Sequence, residues 1–277
     1  MSTRVIVGVI AVPLLLLLIF LAPVWLLALF VGAVAACCAW EFLRCTEKNG
    51  GLRIYIYATL SAFCIPFFSV FFDPGRVYVL ALFLLFVALF GELMLSFRHE
   101  TTMEFETVSA ALLAGGILPV LLAAIVRLAL LENGRVYALL PFVAAFSSDT
   151  GAYFAGVFLG RHKLTPRLSP NKTIEGSVGG FLAAIGMMLL YGVVLRAAGF
   201  AANFAVLGVY GFFGALAAQL GDLSFSAVKR LFGIKDYGNL IPGHGGALDR
   251  FDSMTWVAVT VELLAAWVPA ITKATVV

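Results

Sequence analysis

Long apolar stretches broken by short polar ones set the pattern of this chain. A helix needs roughly 20 predominantly apolar residues to cross a bilayer. Nine stretches approach that length: 5–21, 24–40, 54–72, 77–97, 107–131, 136–159, 176–198, 203–232 and 253–272. The pattern predicts an all-α fold, a polytopic membrane helix bundle of about nine transmembrane helices. Ala22-Pro23 marks the turn between the first two. The eighth stretch is long and its last turns are polar. It is predicted to project beyond the bilayer or to end in a water-filled cavity. No internal repeat, low-complexity linker or soluble domain interrupts the series.

Composition agrees with the pattern. Hydrophobic residues make up 62% of the chain and charged residues 12%, against about a quarter charged in a soluble domain. Mean hydropathy is +1.06. A water-soluble core of this length would not hide so much apolar surface, so lipid is the solvent the sequence asks for. The formal charge of +3 is too small to argue for nucleic acid. Cys37, Cys38, Cys45 and Cys64 form no CxxC pair and lie in or beside apolar segments. They read as small buried hydrophobes, not as a disulfide or zinc framework. The first apolar run, from Val5 to Trp40, is longer than the 7–15 residues of a signal-peptide core.

Charge supplies an orientation. With the N-terminus inside, the inner segments hold Arg4, Arg44, Lys48, Arg53, Arg98, Arg161, Lys163, Arg167, Lys172, Lys229, Arg230, Lys235 and Arg250. The outer ones hold only Arg76, Arg127, Arg135, Arg196 and Lys273. The positive-inside rule then predicts a cytoplasmic N-terminus and an odd number of spans. The two longest polar stretches, 160–175 and 233–252, fall on the same inner side. Chemistry on a charged, water-soluble substrate is expected there.

Three constellations carry candidate chemistry. At the end of the eighth stretch, Gln219, Asp222, Ser226 and Lys229 follow helical spacing and share one stripe, with Arg230 beside it. An Asp at membrane depth costs about 2.5–3.5 kcal/mol on insertion scales, so its presence points to function. An internal Asp222–Lys229 pair that closes the bundle is the plainer alternative. The second constellation is Gly243-His244-Gly245-Gly246 followed by Asp249, Arg250 and Asp252 at the start of the ninth stretch. The glycines allow a tight bend or a close approach to a ligand. Asp249 and Asp252 lie one turn apart. Acids at a helix N-terminus suit its dipole, which is again the plainer account. The third is Asp149, with Tyr153, Gly156 and Gly160 at helical spacing, followed by the polar loop Ser169-Pro170-Asn171-Lys172-Thr173. Lys172 and the hydroxyls suit a phosphate; ordinary capping by Thr173 ahead of Glu175 is the competing reading. No Walker A pattern is present.

Carboxylates beside clustered basic residues have a natural use. Mg²⁺ takes oxygen ligands, one or two of them carboxylates, and shares the rest with phosphate and water. Basic side chains then neutralise the departing phosphates. The constellation asks for a nucleoside triphosphate.

Ser226-Ala227-Val228-Lys229-Arg230, then Lys235-Asp236, Pro242-Gly243-His244-Gly245-Gly246 and Asp249-Arg250-Phe251-Asp252 together resemble the signature of the phosphatidate cytidylyltransferase (CDP-diacylglycerol synthase) family. The Asp149 segment and the 169–176 loop are similar to family features as well. Ala247 departs from the pattern, standing where the family usually has a larger aliphatic residue; that is a packing position. The resemblance implies a CTP-dependent nucleotidyltransferase. The phosphate of phosphatidic acid attacks the α-phosphorus of CTP, CDP-diacylglycerol forms and pyrophosphate leaves. It further implies Asp222, Asp249 and Asp252 as Mg²⁺ ligands, with K⁺ sharing the site. Lys229, Arg230 and Arg250 are then expected on phosphates, and Ser226, Lys235, His244, Gly245, Gly246, Ser169, Lys172 and Asp149 near the substrates. A homodimer and a bacterial inner-membrane location with a cytoplasmic active site belong to the same expectation. On this reading the chain is one integral membrane domain, 1–277, with apolar helices over 1–132 and a catalytic region over 136–272.

Other classes fit less well. A dolichol- or phytol-kinase-like enzyme would not explain the intact Lys229 to Asp252 pattern. An ion-coupled transporter would leave the Gly-rich turn unexplained, and no inverted repeat supports it. Glu92 reads as a residue reaching the interface and Arg127 as one snorkelling to it. Glu262 reads as a buried polar partner, His99 and His162 as loop residues without ligand-like company.

Overall fold

The computed structural model describes residues 12–46, 51–98, 102–240 and 245–273. These form two compact units: Met1–Leu130 with Phe232–Phe251, and Leu131–Leu231 with Asp252–Val277. Among the described residues, six helices are long and apolar enough to cross a membrane: Val24–Thr46, Pro74–Ser96, Phe105–Ala129, Gly134–Leu159, Ile174–Ala197 and Phe204–Leu231. The chain is thus an integral membrane protein built almost wholly of helices.

The first unit opens with α1 (12–20), α2 (Val24–Thr46), α3 (Leu52–Phe68) and α4 (Pro74–Ser96). Helices α2 and α3 meet through small residues; Ala28, Ala39, Ala58 and Ala62 are fully buried. Close backbone approach replaces the hydrophobic drive that lipid removes. Asp73 caps α4 by accepting from the Arg76 N–H at 3.0 Å, and Pro74 sits in its first turn, where its missing N–H costs nothing. That is why α4 starts at Pro74 and not at 77. Only Leu85 and Leu89 of α4 are buried.

The stretch expected as one span over 107–131 is the candidate span Phe105–Ala129, and it is broken along its length. It comprises α5 (Phe105–Leu112), a π turn (Leu113–Ile117), α6 (Leu118–Leu122) and α7 (Ala124–Ala129). Pro119 has no N–H to offer the Gly115 carbonyl, which interrupts the ladder. At the break Gly115 lies on α3; a Cβ there would come within 2.6 Å of the Ala58 Cα. Arg127 is tied inside the unit and does not merely snorkel. It bonds the Tyr78 hydroxyl, lies 5.1 Å from that ring's centre and donates to the Val120 carbonyl at 3.1 Å. Glu92 accepts from Tyr57 at 3.1 Å and Arg53 at 3.4 Å.

The second unit contains α8 (Gly134–Leu159), β1 (Lys163–Thr165), β2 (Ser169–Thr173), α9 (Ile174–Ala197), β3 (Phe200–Ala202), α10 (Phe204–Leu231), most of α11 (Leu248–Trp267) and β4 (Ile271–Lys273). Helices α8 and α9 pack on a glycine seam. A Cβ on Gly151 would meet the Gly179 carbonyl at 2.7 Å, and one on Gly176 the Ala152 carbonyl at 2.8 Å. The polar loop expected at 169–173 is strand β2, paired antiparallel with β1 through Lys163–Thr173 and Thr165–Ser169. Thr173 does cap α9, accepting from the Gly176 N–H at 3.1 Å. Strands β3 and β4 form a second hairpin-sized sheet, and Tyr137 closes it onto α8 by bonding both the N–H and the carbonyl of Ile271. Helix α11 begins at Leu248, ahead of the expected 253, so Asp249 and Asp252 are both helical.

Candidate active site

In the second unit, α10 presents the expected stripe, and each member has a partner. Gln219 exchanges two hydrogen bonds with Ser177 of α9: the serine hydroxyl donates to its Oε1, and its Nε2 donates to the Ser177 carbonyl at 3.1 Å. This fixes the register of α9 against α10. One turn on, the Ser226 hydroxyl donates to Asp222 Oδ1 at 3.2 Å, while Lys172 forms an ion pair with Asp222 Oδ2. The lysine arrives on β2. Its approach is set by the hairpin and by Glu175, which accepts from the Arg161 and His162 N–H groups at 3.1 and 3.2 Å and meets His162 Nδ1 at 2.6 Å. His162 therefore has a carboxylate partner, against the reading that it keeps no such company. Arg230 donates from Nε to the Leu168 carbonyl at 3.3 Å, bracing the same hairpin from α10.

Gly221 lets α10 lie directly on α11. A Cβ there would come to 3.0 Å from the Asp252 carbonyl, the Ser253 Cα and the Trp256 ring. The contact brings Asp252 beside the stripe. Asp252 is buried, as is Lys229, and its carboxyl feels the charges of Asp222, Lys229 and Asp149. Three carboxylates and Lys229 thus share one region of the unit, with Lys172 on Asp222. A buried carboxylate or lysine is costly unless matched. Here the two kinds of charge are set against one another. Ser169 lies on β2 opposite Thr165, three residues before Lys172.

The other expected residues lie in the first unit, where segment 232–251 is fastened to α2. Asp249 Oδ2 accepts from the N–H groups of Tyr237 at 2.8 Å and Gly246 at 3.1 Å. Gly245 has φ +86°, the left-handed region that favours glycine. Lys235 and Arg250 are exposed. His244, with Pro242 and Gly243, lies outside the described residues.

Sequence reasoning missed Glu41. It is buried near the end of α2 and accepts from the N–H groups of Ala247 at 3.0 Å and Leu248 at 2.9 Å. Its only signal was an acid directly following an apolar run. Ser177 was missed as well; nothing in the local pattern distinguishes it from other helix serines.

Among the described residues, no group of three or more His, Cys, Asp or Glu is disposed to hold a metal ion. The donor chemistry near Asp222 and Asp252 nonetheless fits Mg²⁺. Both are hard oxygen donors, and this ion ordinarily takes only one or two carboxylates.

Residues 2–268 match the model of the Cytidylyltransferase family. The phosphatidate cytidylyltransferase of Bacillus subtilis (strain 168) is 32% identical over 268 residues, covering 93% of this chain and 94% of the relative. That of Staphylococcus haemolyticus (strain JCSC1435) is 42% identical over 133 residues, 48% of this chain and 50% of the relative. That of Staphylococcus aureus (strain COL) is 43% identical over the same length and shares. The match to the staphylococcal relatives thus spans half of their length.

The Lys172 and Asp222 side chains are 27% and 33% exposed, so their attraction is largely screened. A double-mutant cycle on Lys172→Met and Asp222→Asn, read by thermal unfolding in detergent, should give a coupling of about 0.2–1 kcal/mol. A coupling of about 3 kcal/mol or more would make the pair a structural element of the bundle.

Proposed function

Because the chain belongs to the cytidylyltransferase family, we propose that it is a phosphatidate cytidylyltransferase. A phosphate oxygen of phosphatidic acid attacks the α-phosphorus of CTP, the α–β bridging P–O bond breaks, and pyrophosphate leaves with the bonding pair. CDP-diacylglycerol is the other product. The observation that carries this reading is the α10 stripe, where Lys172 and Ser226 meet Asp222 and Gly221 lies against the buried Asp252 of α11.

The attacking atom is already anionic, so no strong base is needed. The work is positioning and charge neutralisation. Lys172 and Lys229 are assigned to the phosphates of CTP. Arg230 is the nearest further cation on the same helix. Gln219 and Ser177 hold α9 and α10 in register and so keep Asp222 pointed correctly. Asp222 and Asp252 would hold Mg²⁺, with Asp249 as the third ligand by resemblance and K⁺ as a second ion. When bound, Mg²⁺ supplies positive charge to the phosphates between which displacement occurs.

The finer membrane arrangement belongs to the same proposal. Nine spans result if 12–20, Leu52–Phe68 and Leu248–Trp267 are added to the six long apolar helices. The N-terminus and active site then face the cytoplasm of a bacterial cell, and two copies associate as a homodimer.

Pyrophosphate release from purified protein with CTP, phosphatidate and Mg²⁺ tests the reaction. Asp222→Asn and Asp252→Asn should each lower kcat by about 10²–10³, the scale of losing one group that stabilises developing charge. Lys172→Ala should raise KM for CTP. No release from the wild-type protein, or Asn variants as active as it, would refute the assignment. Orientation is tested with a membrane-impermeant maleimide on spheroplasts, using variants of a cysteine-free chain. Asn133→Cys should label and Arg161→Cys should not; the reverse pattern would invert the topology.

A further inference from the structure

The Gly-rich turn of the signature suggests a phosphate cradle ahead of a helix, the usual anion site at a helix N-terminus. In the first unit the three donors from Gly246 to Leu248 are already engaged. The Gly246 N–H goes to Asp249, and the next two, Ala247 and Leu248, go to the two carboxylate oxygens of Glu41. The Leu248 amide opens α11 and the Gly246 and Ala247 amides immediately precede it; amides at a helix start have no partner inside the helix, and a carboxylate there also suits the dipole. The backbone comes this close because Gly238 and Gly246 lack side chains: a Cβ on either would overlap the Glu41 carboxylate. One turn beyond Glu41, the Cys45 thiol donates to the Tyr237 carbonyl at 3.2 Å, and Phe42 stacks on the Tyr237 ring with centroids 6.2 Å apart. The Tyr237 N–H in turn donates to Asp249. The turn is held from one side by α2 and from the other by Asp249.

We infer that Glu41 is a positioning residue for the proposed reaction. It fixes the start of α11 and thereby the direction of the Asp249 carboxylate, and Gly246 of the signature serves this contact rather than a phosphate. The inference rests on the cytidylyltransferase reading only for its activity readout. Glu41→Gln keeps size but offers one acceptor oxygen and an NH₂ that cannot accept, so one helix amide loses its partner. It should lower kcat by about 100-fold, the scale of a small misplacement remote from the chemistry, with KM for CTP unchanged. Amide hydrogen exchange should rise over 245–251 and not elsewhere. Glu41→Asp should restore part of kcat. Gly246→Ala should lower the thermal midpoint, and Glu41→Ala in that background should recover the midpoint without recovering turnover. The inference is overturned by a Glu41→Gln protein with wild-type kcat, by exchange rising throughout the chain, or by turnover that follows the midpoint in the double variant. An inactive wild-type protein would instead refute the functional reading, and the exchange result would still decide the role of Glu41.

A separate observation concerns α3 and α4. They run antiparallel, as the contacts of Arg53 and Tyr57 with Glu92 require. An apolar cavity of about 620 Å³ lies between them, lined by Leu60, Phe68, Leu80 and Leu84 among others. Ser61 also lines it; this serine is 9% exposed and its hydroxyl has no hydrogen-bond partner among the described residues. At one mouth stand Asp73 and Arg76. The Asp73 carboxylate caps its own helix. The Arg76 guanidinium is exposed and makes no hydrogen bond or ion pair among the described residues. We propose that the cavity takes one acyl chain of an anionic phospholipid whose phosphate sits on Arg76. That mouth lies at the far end of α3 from Tyr55, which bonds the Leu43 carbonyl near Glu41. The lipid is therefore distinct from one presented to the signature turn.

Thermal midpoints of delipidated protein in neutral detergent test the site, since a ligand stabilises in proportion to its occupancy. Dioleoyl phosphatidylglycerol should raise the midpoint more than dioleoyl phosphatidylcholine, and glycerol phosphate should not raise it. Arg76→Gln should erase the difference between the lipids. Ala81→Phe, which fills the cavity, should erase both shifts at unchanged oligomeric mass. Equal shifts in the wild-type protein, a difference that survives Arg76→Gln, or a smaller oligomer in Ala81→Phe would overturn the proposal, the last by showing that a second copy fills the groove.

Discussion

Charge matching in an apolar body is the constraint on which the second unit depends. Asp252 and Lys229 are both buried, and Asp222 is met by Lys172 and Ser226. Buried Asp252 and Lys229 lack bulk water as an adequate partner and must find their complement within the protein, while the Lys172–Asp222 pair is part-exposed and screened. The geometry that provides it is costly in other respects. It requires Gly221 where two helices touch, the Ser177–Gln219 exchange, and a short β-hairpin to carry Lys172 inward. A bundle held only by apolar contact would need none of these. Charges opposed in this way are also the groups that a triphosphate can recruit, because its own negative charge competes with the carboxylates for the same lysines.

The first unit solves a different problem with similar means. A helix start presents amides that need acceptors, and segment 232–251 brings one into a buried place against α2. Glu41 and Asp249 meet three of these with hydrogen bonds from Gly246, Ala247 and Leu248, and Asp249 also accepts from the Tyr237 N–H. Acceptors on both sides hold Gly246, Ala247 and Leu248 where the chain enters the helix.

Packing between apolar helices follows neither of these rules. Lipid tails and leucine side chains are alike in polarity, so burial carries little free energy inside a bilayer and closeness of approach takes over. The α8–α9 seam of Gly151, Gly176 and Gly179 and the contact of Gly115 on α3 are its traces. The bare apolar surface of α4 shows the complement: a helix with large side chains on every face and little protein against it.

The sequence by itself determined the apolar helices and the local devices. Apolar length is a property of contiguous residues, so six of the nine expected stretches coincide with described helices long and apolar enough to cross a membrane. Helical spacing alone put Gln219, Asp222, Ser226 and Lys229 on one stripe, because that periodicity belongs to the α-helix. Thr173 as a cap was legible for the same reason. What tertiary structure decided was which stripe faces which. Glu41 meets residues more than 200 positions away. Lys172 reaches Asp222 from a strand that read as a loop, and Gly246 of the signature turns its N–H to a carboxylate. The physical reason is that an apolar helix in lipid has no polar side to mark its outer face. Local pattern reveals that a residue lies on a helix, and only the packing of one backbone against another reveals what it meets.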